Sequence, residues 1–176
     1  MRGLLFLLLS ISLMACDGNT ALMKATADGN REVIKEMLES GTDVNETNNY
    51  GWTAIMHAAR AGDEETILLM LANGADIDAK DSGGWTALIR AAQKGHANAV
   101  RLLIERGADI NAQTKKGWTA VMWATLQEKL EVVQVLIEYK ADLNLLAEDG
   151  RNALMIAVTE NNNEMISVLQ EAGAKP

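Results

Sequence analysis

Five glycines, Gly18, Gly51, Gly84, Gly117 and Gly150, stand 33 residues apart, and the residues between them repeat in register. Two positions on, Thr20, Thr53, Thr86 and Thr119 form a column, with Asn152 in the fifth place. Ala21, Ala54, Ala87, Ala120 and Ala153 follow, then Leu22, Ile55, Leu88, Val121 and Leu154. Later in each unit come Ala25, Ala58, Ala91, Ala124 and Ala157, and then the apolar pairs Met37-Leu38, Met70-Leu71, Leu103-Ile104 and Leu136-Ile137. The units close on Asp43-Val44-Asn45, Asp76-Ile77-Asp78, Asp109-Ile110-Asn111 and Asp142-Leu143-Asn144. A period of this length marks a stack of supersecondary units. Each unit buries its apolar face only against its neighbours, so stability is close to a nearest-neighbour sum.

Each column has a physical use. A threonine hydroxyl ahead of an apolar run can accept a backbone N–H and cap a helix. Small residues such as Ala58 and Ala91 let helices of adjacent units approach closely. Gly62 and Gly95 can turn the chain between two helices in the left-handed conformation, and Gly41, Gly74, Gly107 and Gly173 can do so after the second helix. In length and order the unit resembles the ankyrin repeat: a G-x-T-P-L-H opening, a short helix, glycine, a second helix, and a G-A-D-x-N closing. The resemblance covers residues 18–176. It implies an all-α solenoid of about five 33-residue helix-turn-helix units with β-hairpin-like loops, at about 18–48, 49–81, 82–114, 115–147 and 148–176.

The departures from the family pattern are informative. The family proline is alanine in all five units, a mild change in a good helix former. The family histidine is Met23, Met56, Ile89, Met122 and Met155, which exchanges a hydrogen-bonding link for apolar packing and places oxidisable thioethers in the stack. Glu128 and Lys140 in unit four, and Asn161 in unit five, stand where glycine is expected. A left-handed backbone there costs glutamate and lysine roughly 1–2 kcal/mol each, and asparagine less. Unit four is therefore either a weak point or a place where the turns are rebuilt. Gln170 replaces the apolar residue of Leu38, Leu71, Ile104 and Ile137, as suits a polar terminal cap.

Ahead of the repeats lies an apolar run, Leu4 to Leu13, with Arg2 before it and the only cysteine, Cys16, after it. A spanning helix needs about 20 apolar residues, so this run is too short to cross a bilayer. A core helix with a buried thiol is the plain alternative. The order of charge, apolar stretch and small residue instead matches an export signal. Leu13-Met14-Ala15-Cys16 resembles the lipobox of bacterial lipoproteins. That resemblance implies removal of residues 1–15 and a lipidated terminus at 16–17, with a diacylglyceryl group on the Cys16 thiol. Two or three chains at about 0.8 kcal/mol per buried methylene anchor a protein stably. A lone cysteine can form no internal disulfide, and acylation removes the free thiol. The expected location is the bacterial envelope, anchored on the periplasmic side. Asp17 resembles the inner-membrane retention signal of enteric bacteria and favours that membrane over the outer one. With only Asp17 as tether, the first unit is expected to lie against the bilayer.

The formal charge is −8, and loss of Arg2 makes the remainder more negative by one. Such a chain repels phosphate backbones, so nucleic acid is not an expected partner. Catalysis requires a base within reach of a nucleophile or water. His57 stands alone, and His96 lies in the segment Lys94 to Val100, where ankyrin repeats often carry Gly-His for structural reasons. Asp63-Glu64-Glu65 opens a second helix, where negative charge suits the dipole. The Asp-x-Asn closings resemble sites hydroxylated in eukaryotic ankyrins, but turn stabilisation accounts for them. No enzyme, metal site or cofactor is expected.

What remains is a surface. The resemblance implies a concave face of hairpin tips and first helices that grips another protein. Positions that vary between units on that face include Tyr50, Arg60, Lys94, Lys115, Lys116 and Arg151, with Arg90 and Trp123 in a second varying column. Trp52, Trp85 and Trp118 share one column. Trp, Tyr and Arg are enriched at interface hot spots, and truncating one costs at least about 2 kcal/mol of binding. The alternative is that each indole braces its own hairpin. The basic middle of the face implies a protein partner with an acidic patch, and the chain itself is expected to be monomeric. The expected role is a membrane-anchored scaffold, either an inhibitor or immunity protein or an accessory factor for an envelope enzyme. A host-directed effector or a surface-exposed lipoprotein is the alternative.

Overall fold

The computed structural model describes residues 18–175, so the expected signal peptide, Cys16 and Asp17 lie outside the described residues. Within them all regular structure is helical. The helices are α1 (Ala21–Ala27), α2 (Arg31–Glu39), α3 (Ala54–Ala61), α4 (Glu64–Ala72), α5 (Ala87–Lys94), α6 (Ala97–Glu105), α7 (Ala120–Leu126), α8 (Leu130–Glu138), α9 (Ala153–Thr159) and α10 (Asn163–Glu171). They fall into five pairs, one per repeat. First helices pack in an inner row, α1 on α3, α3 on α5, α5 on α7 and α7 on α9. Behind them α4 packs on α6 and α6 on α8. No described helix is long and apolar enough to cross a membrane.

The columns explain the packing. Ala58, Ala91, Ala124 and Ala157 are fully buried in the inner row, where a larger side chain would hold the helices apart. Met23, Met56, Ile89 and Met122 are buried at the same register, so apolar packing does replace the missing histidine link. Thr20, Thr86 and Thr119 each accept the backbone N–H three residues on, as does Asn152. Thr53 breaks the pattern: its hydroxyl is buried and makes no cap bond. His96 has the structural role expected of it. Its Nε2 lies 3.0 Å from the Arg60 carbonyl oxygen and ties the start of α6 to the end of α3.

Two sets of hydrogen bonds cross between repeats. In the loops, the N–H groups of Asn48, Asp81, Thr114 and Ala147 donate to the carbonyls of Trp52, Trp85, Trp118 and Arg151 at 2.9–3.0 Å and close a tight hairpin each time. Successive hairpins are joined by Ser82 N–H to Tyr50 O, Lys115 N–H to Gly83 O, and Glu148 N–H to Lys116 O, at 2.8–3.0 Å. This approach explains the glycine column. At Gly84 (φ +81) a Cβ would stand 2.7 Å from the Lys115 nitrogen, and at Gly117 (φ +74) 2.9 Å from Ala147 Cα. The Asp-x-Asn closings form the second set. Asn45, Asp78, Asn111 and Asn144 accept the N–H of Asp76, Asp109, Asp142 and Lys175 at 2.8–2.9 Å. Each closing therefore joins its repeat to the next as well as stabilising its own turn.

Repeat four keeps the turn geometry of its neighbours. Glu128 (φ 55) and Lys140 (φ 61) hold the left-handed conformation, as does Asn161 (φ 54). The turns are not rebuilt, so the strain stays in the backbone. A β-carbon at Gly62 would meet the His96 ring at 2.6 Å, whereas the residue in the His96 column after Glu128 is the shorter Asn162. Glu128→Gly and Lys140→Gly are each expected to stabilise the protein by about 1 kcal/mol, since relief of strain outweighs the added chain entropy. Thermal melts should show a rise of roughly 2–4 °C for each. An unchanged or lower midpoint in both would show that repeat four carries no such strain.

Candidate functional site

The tryptophan column and the column five residues further on interdigitate. Arg90, from α5, places its guanidinium 4.1 Å from the ring centroid of Trp52 in the preceding hairpin and 4.1 Å from that of Trp85 in its own. One repeat on, Trp123 from α7 takes the same place, with centroid distances of 4.5 Å to Trp85 and 4.8 Å to Trp118. Trp52 also packs on His57 at 4.9 Å, and Arg60 lies 5.7 Å from its centroid. At the far end Arg151, which occupies the tryptophan column of repeat five, lies 5.5 Å from Trp118. The result is one continuous row of rings and guanidinium groups: Trp52, Arg90, Trp85, Trp123, Trp118, Arg151. Cation–π contacts of this kind contribute about 0.5–2 kcal/mol each. Trp123 is held in the row by stacking alone, for its Nε1, like Arg90 Nε, is buried without a hydrogen-bond partner among the described residues.

Asp81 is the counter-ion of Arg90 in this setting. One carboxylate oxygen of Asp81 accepts the N–H groups of Gly83 (2.8 Å) and Trp85 (3.0 Å), and the other accepts Arg90 Nη2. The Asp81 side chain is only 3% exposed and that of Arg90 14%. Burial pushes the Arg90 guanidinium below its ordinary range, and the hydrogen bond and charge of Asp81 oppose that shift. The hairpins on either side use neutral groups for the same closure. Asn48 Oδ1 accepts from Tyr50 and Trp52, and Thr114 Oγ1 accepts from Trp118. In repeat five, where the column holds Ala147, Asp149 does the work and also binds the Arg151 guanidinium at 2.7 Å.

The candidate residues thus separate by position. Arg90 is enclosed, Trp118 is buried at 9% exposure, and Trp52, Trp85, Trp123 and Arg151 are half-buried. Tyr50, Arg60, Lys94, Lys115 and Lys116 are exposed, and none of these four cations makes an ion pair among the described residues. Lys115 and Lys116 rim a cleft of about 690 Å³ between the hairpins of repeats three to five. Its floor is Trp85, Trp118, Trp123 and Leu126, and Gly83, Thr114, Asp149 and Arg151 complete the lining. No group of three or more histidine, cysteine or acidic side chains among the described residues is placed to hold a metal ion. Asp81 escaped the sequence reading. The signal was present, because Asp81 is the only acid in the column Asn48, Asp81, Thr114, Ala147, and it stands nine residues before the only arginine of the second column.

Stacked helix pairs joined by hairpins, with an aromatic and basic surface, define a repeat scaffold that works by binding protein. A family model for ankyrin repeats in three copies matches residues 1–81 and 107–176, and one for ankyrin repeats in many copies matches residues 70–122. The chain belongs to the ankyrin repeat family. No curated protein matches it. Ankyrin repeats are non-enzymatic interaction modules as a rule, and the described residues carry no arrangement that shows catalytic activity.

Proposed function

We propose that this protein is a lipid-anchored scaffold in the bacterial envelope, on the periplasmic side, that holds one protein partner against its hairpin and first-helix face. It acts there as an inhibitor or immunity protein, or as an accessory factor for an envelope enzyme. The observation that carries the reading of the face is the set of exposed cations Arg60, Lys94, Lys115 and Lys116. They lack ion pairs among the described residues, in a chain of net charge −8. Unpaired like charges gathered on one face of an acidic protein gain most from an acidic surface opposite. The anchoring part rests on Leu13-Met14-Ala15-Cys16, and the inner membrane is favoured over the outer by Asp17.

Two measurements test the two parts. Cys16→Ala is expected to abolish labelling by a fatty-acid analogue and to leave an unprocessed precursor, and undiminished labelling would end the lipoprotein reading. Partner affinity, measured on membranes that carry the anchored protein, is expected to fall as ionic strength rises, because exposed pairs are screened beyond about 8–10 Å near physiological salt. A flat response between low and high salt would mean that the cations do not meet an acidic surface.

A further inference from the structure

We infer that the cleft of repeats three to five receives an extended acidic segment of the partner, with one apolar side chain seated on Trp118, Trp123 and Leu126. This rests on the partner-binding reading above and narrows it to one place on the face. At about 690 Å³ the cleft is large enough to take a bulky side chain together with its flanking backbone. The charge balance of the lining selects the occupant. Arg151 is bound to Asp149 at 2.7 Å, so these two largely neutralise one another. Lys115 and Lys116 remain as exposed cations without an ion pair among the described residues. A basic segment is therefore repelled, and a carboxylate-bearing one is attracted.

The tryptophans sharpen this choice. Trp85 lies between Arg90 and Trp123, Trp123 between Trp85 and Trp118, and Trp118 between Trp123 and Arg151. Each ring is packed against its neighbours, and the indole pairs are tilted by 34° and 42° rather than stacked flat. The row is thus an apolar floor beside two lysines, which suits an anionic chain that carries one apolar side chain. That side chain gains by drying Leu126 and the indoles.

The test is selection of random twelve-residue peptides, displayed on phage, against the immobilised full chain in detergent. Selected sequences are expected to carry acidic residues on both sides of one aliphatic or aromatic residue. Their synthetic versions should perturb tryptophan emission on binding. Affinity should drop tenfold or more in the Lys115→Glu/Lys116→Glu protein and in Leu126→Gln, while Glu36→Ala, exposed on α2 and away from the cleft, stays within twofold of the parent. Circular dichroism controls for folding, and the exposed lysines provide the variant least able to disturb it. Basic or neutral selected peptides, or acidic ones indifferent to Lys115→Glu/Lys116→Glu, would overturn the inference. If such peptides are instead lost in Tyr50→Ala or Arg60→Ala, the wider face still binds and only the cleft assignment falls. If a folded protein selects nothing, the inference and the peptide-binding reading of the face fall together.

Discussion

Asp81→Asn is expected to destabilise the protein by about 3 kcal/mol, although the substitution removes no atom of consequence for packing. An asparagine can still close the hairpin, as Asn48 does in the repeat before by accepting the N–H groups of Tyr50 and Trp52. What is lost is the charge opposite Arg90, whose guanidinium is held between Trp52 and Trp85. A buried cation stripped of its partner costs about 3–5 kcal/mol, and the lower end applies because Arg90 keeps 14% exposure. The second half of the expectation is a rescue. In Asp81→Asn/Arg90→Met the unpaired charge is gone and a flexible apolar chain fills the slot between the rings. That protein should come back to within about 1 kcal/mol of the parent, since apolar replacement of a buried ion pair is often neutral or better. Urea unfolding of the four members of the cycle decides it. A single-variant loss under about 1 kcal/mol, or a double variant as weak as the single, would show that the pair is not what secures the hairpins of repeats two and three.

Trp118→Ala is expected to cost about 3–5 kcal/mol of stability, the range for emptying a buried aromatic site. Trp118 is 9% exposed, packs on Trp123 at 4.8 Å and lies under Arg151. Its loss removes a neighbour from each, and in a solenoid that damage passes to the adjoining repeats. Lys94→Ala is the control, because its side chain is exposed and braces no hairpin. Melting and partner affinity have to be measured on the same preparations. A destabilised Trp118→Ala whose remaining folded fraction binds normally makes the row a structural spine. A stable Trp118→Ala with weakened binding makes it the contact itself. The geometry supports the first outcome for Trp118 and leaves more room for direct contact at the half-buried Trp85 and Trp123, which share the floor of the cleft with it.

Much of the fold was legible because each repeat states the same local rules five times. Comparing the units separated fold positions from freely varying ones, and the structure places helices, turns and hairpins where those columns require them. The left-handed turns at Glu128 and Lys140 show the strength of that framework. Two residues poorly suited to the conformation adopt it, because the closings and helices on both sides leave the chain no other path. The functional face was legible only as a list of exceptions. Spacing put Trp52, Trp85 and Trp118 in one column and His57, Arg90 and Trp123 in another, five residues on. It did not say whether the second column reaches back to the preceding hairpin, which is what joins them into one row.

The sequence by itself therefore determined the architecture, the absence of a second long apolar run, the acidic charge and the lone cysteine behind a lipobox-like segment. All of these follow from residue type and spacing along the chain. Tertiary structure decided which basic residues are available. Arg90 and Lys94 lie four residues apart on α5, yet one is enclosed between two indoles and bound to Asp81 while the other projects into solvent. Folding likewise separates Arg151, held by Asp149, from Lys115 and Lys116, which line the cleft without an ion pair among the described residues. The acids that silence the two arginines lie close in the chain, Asp149 two residues from Arg151 and Asp81 nine from Arg90, but only the folded hairpin brings each pair within hydrogen-bond reach. Trp52, from the preceding hairpin, then closes over Arg90, and no local pattern announces that contact.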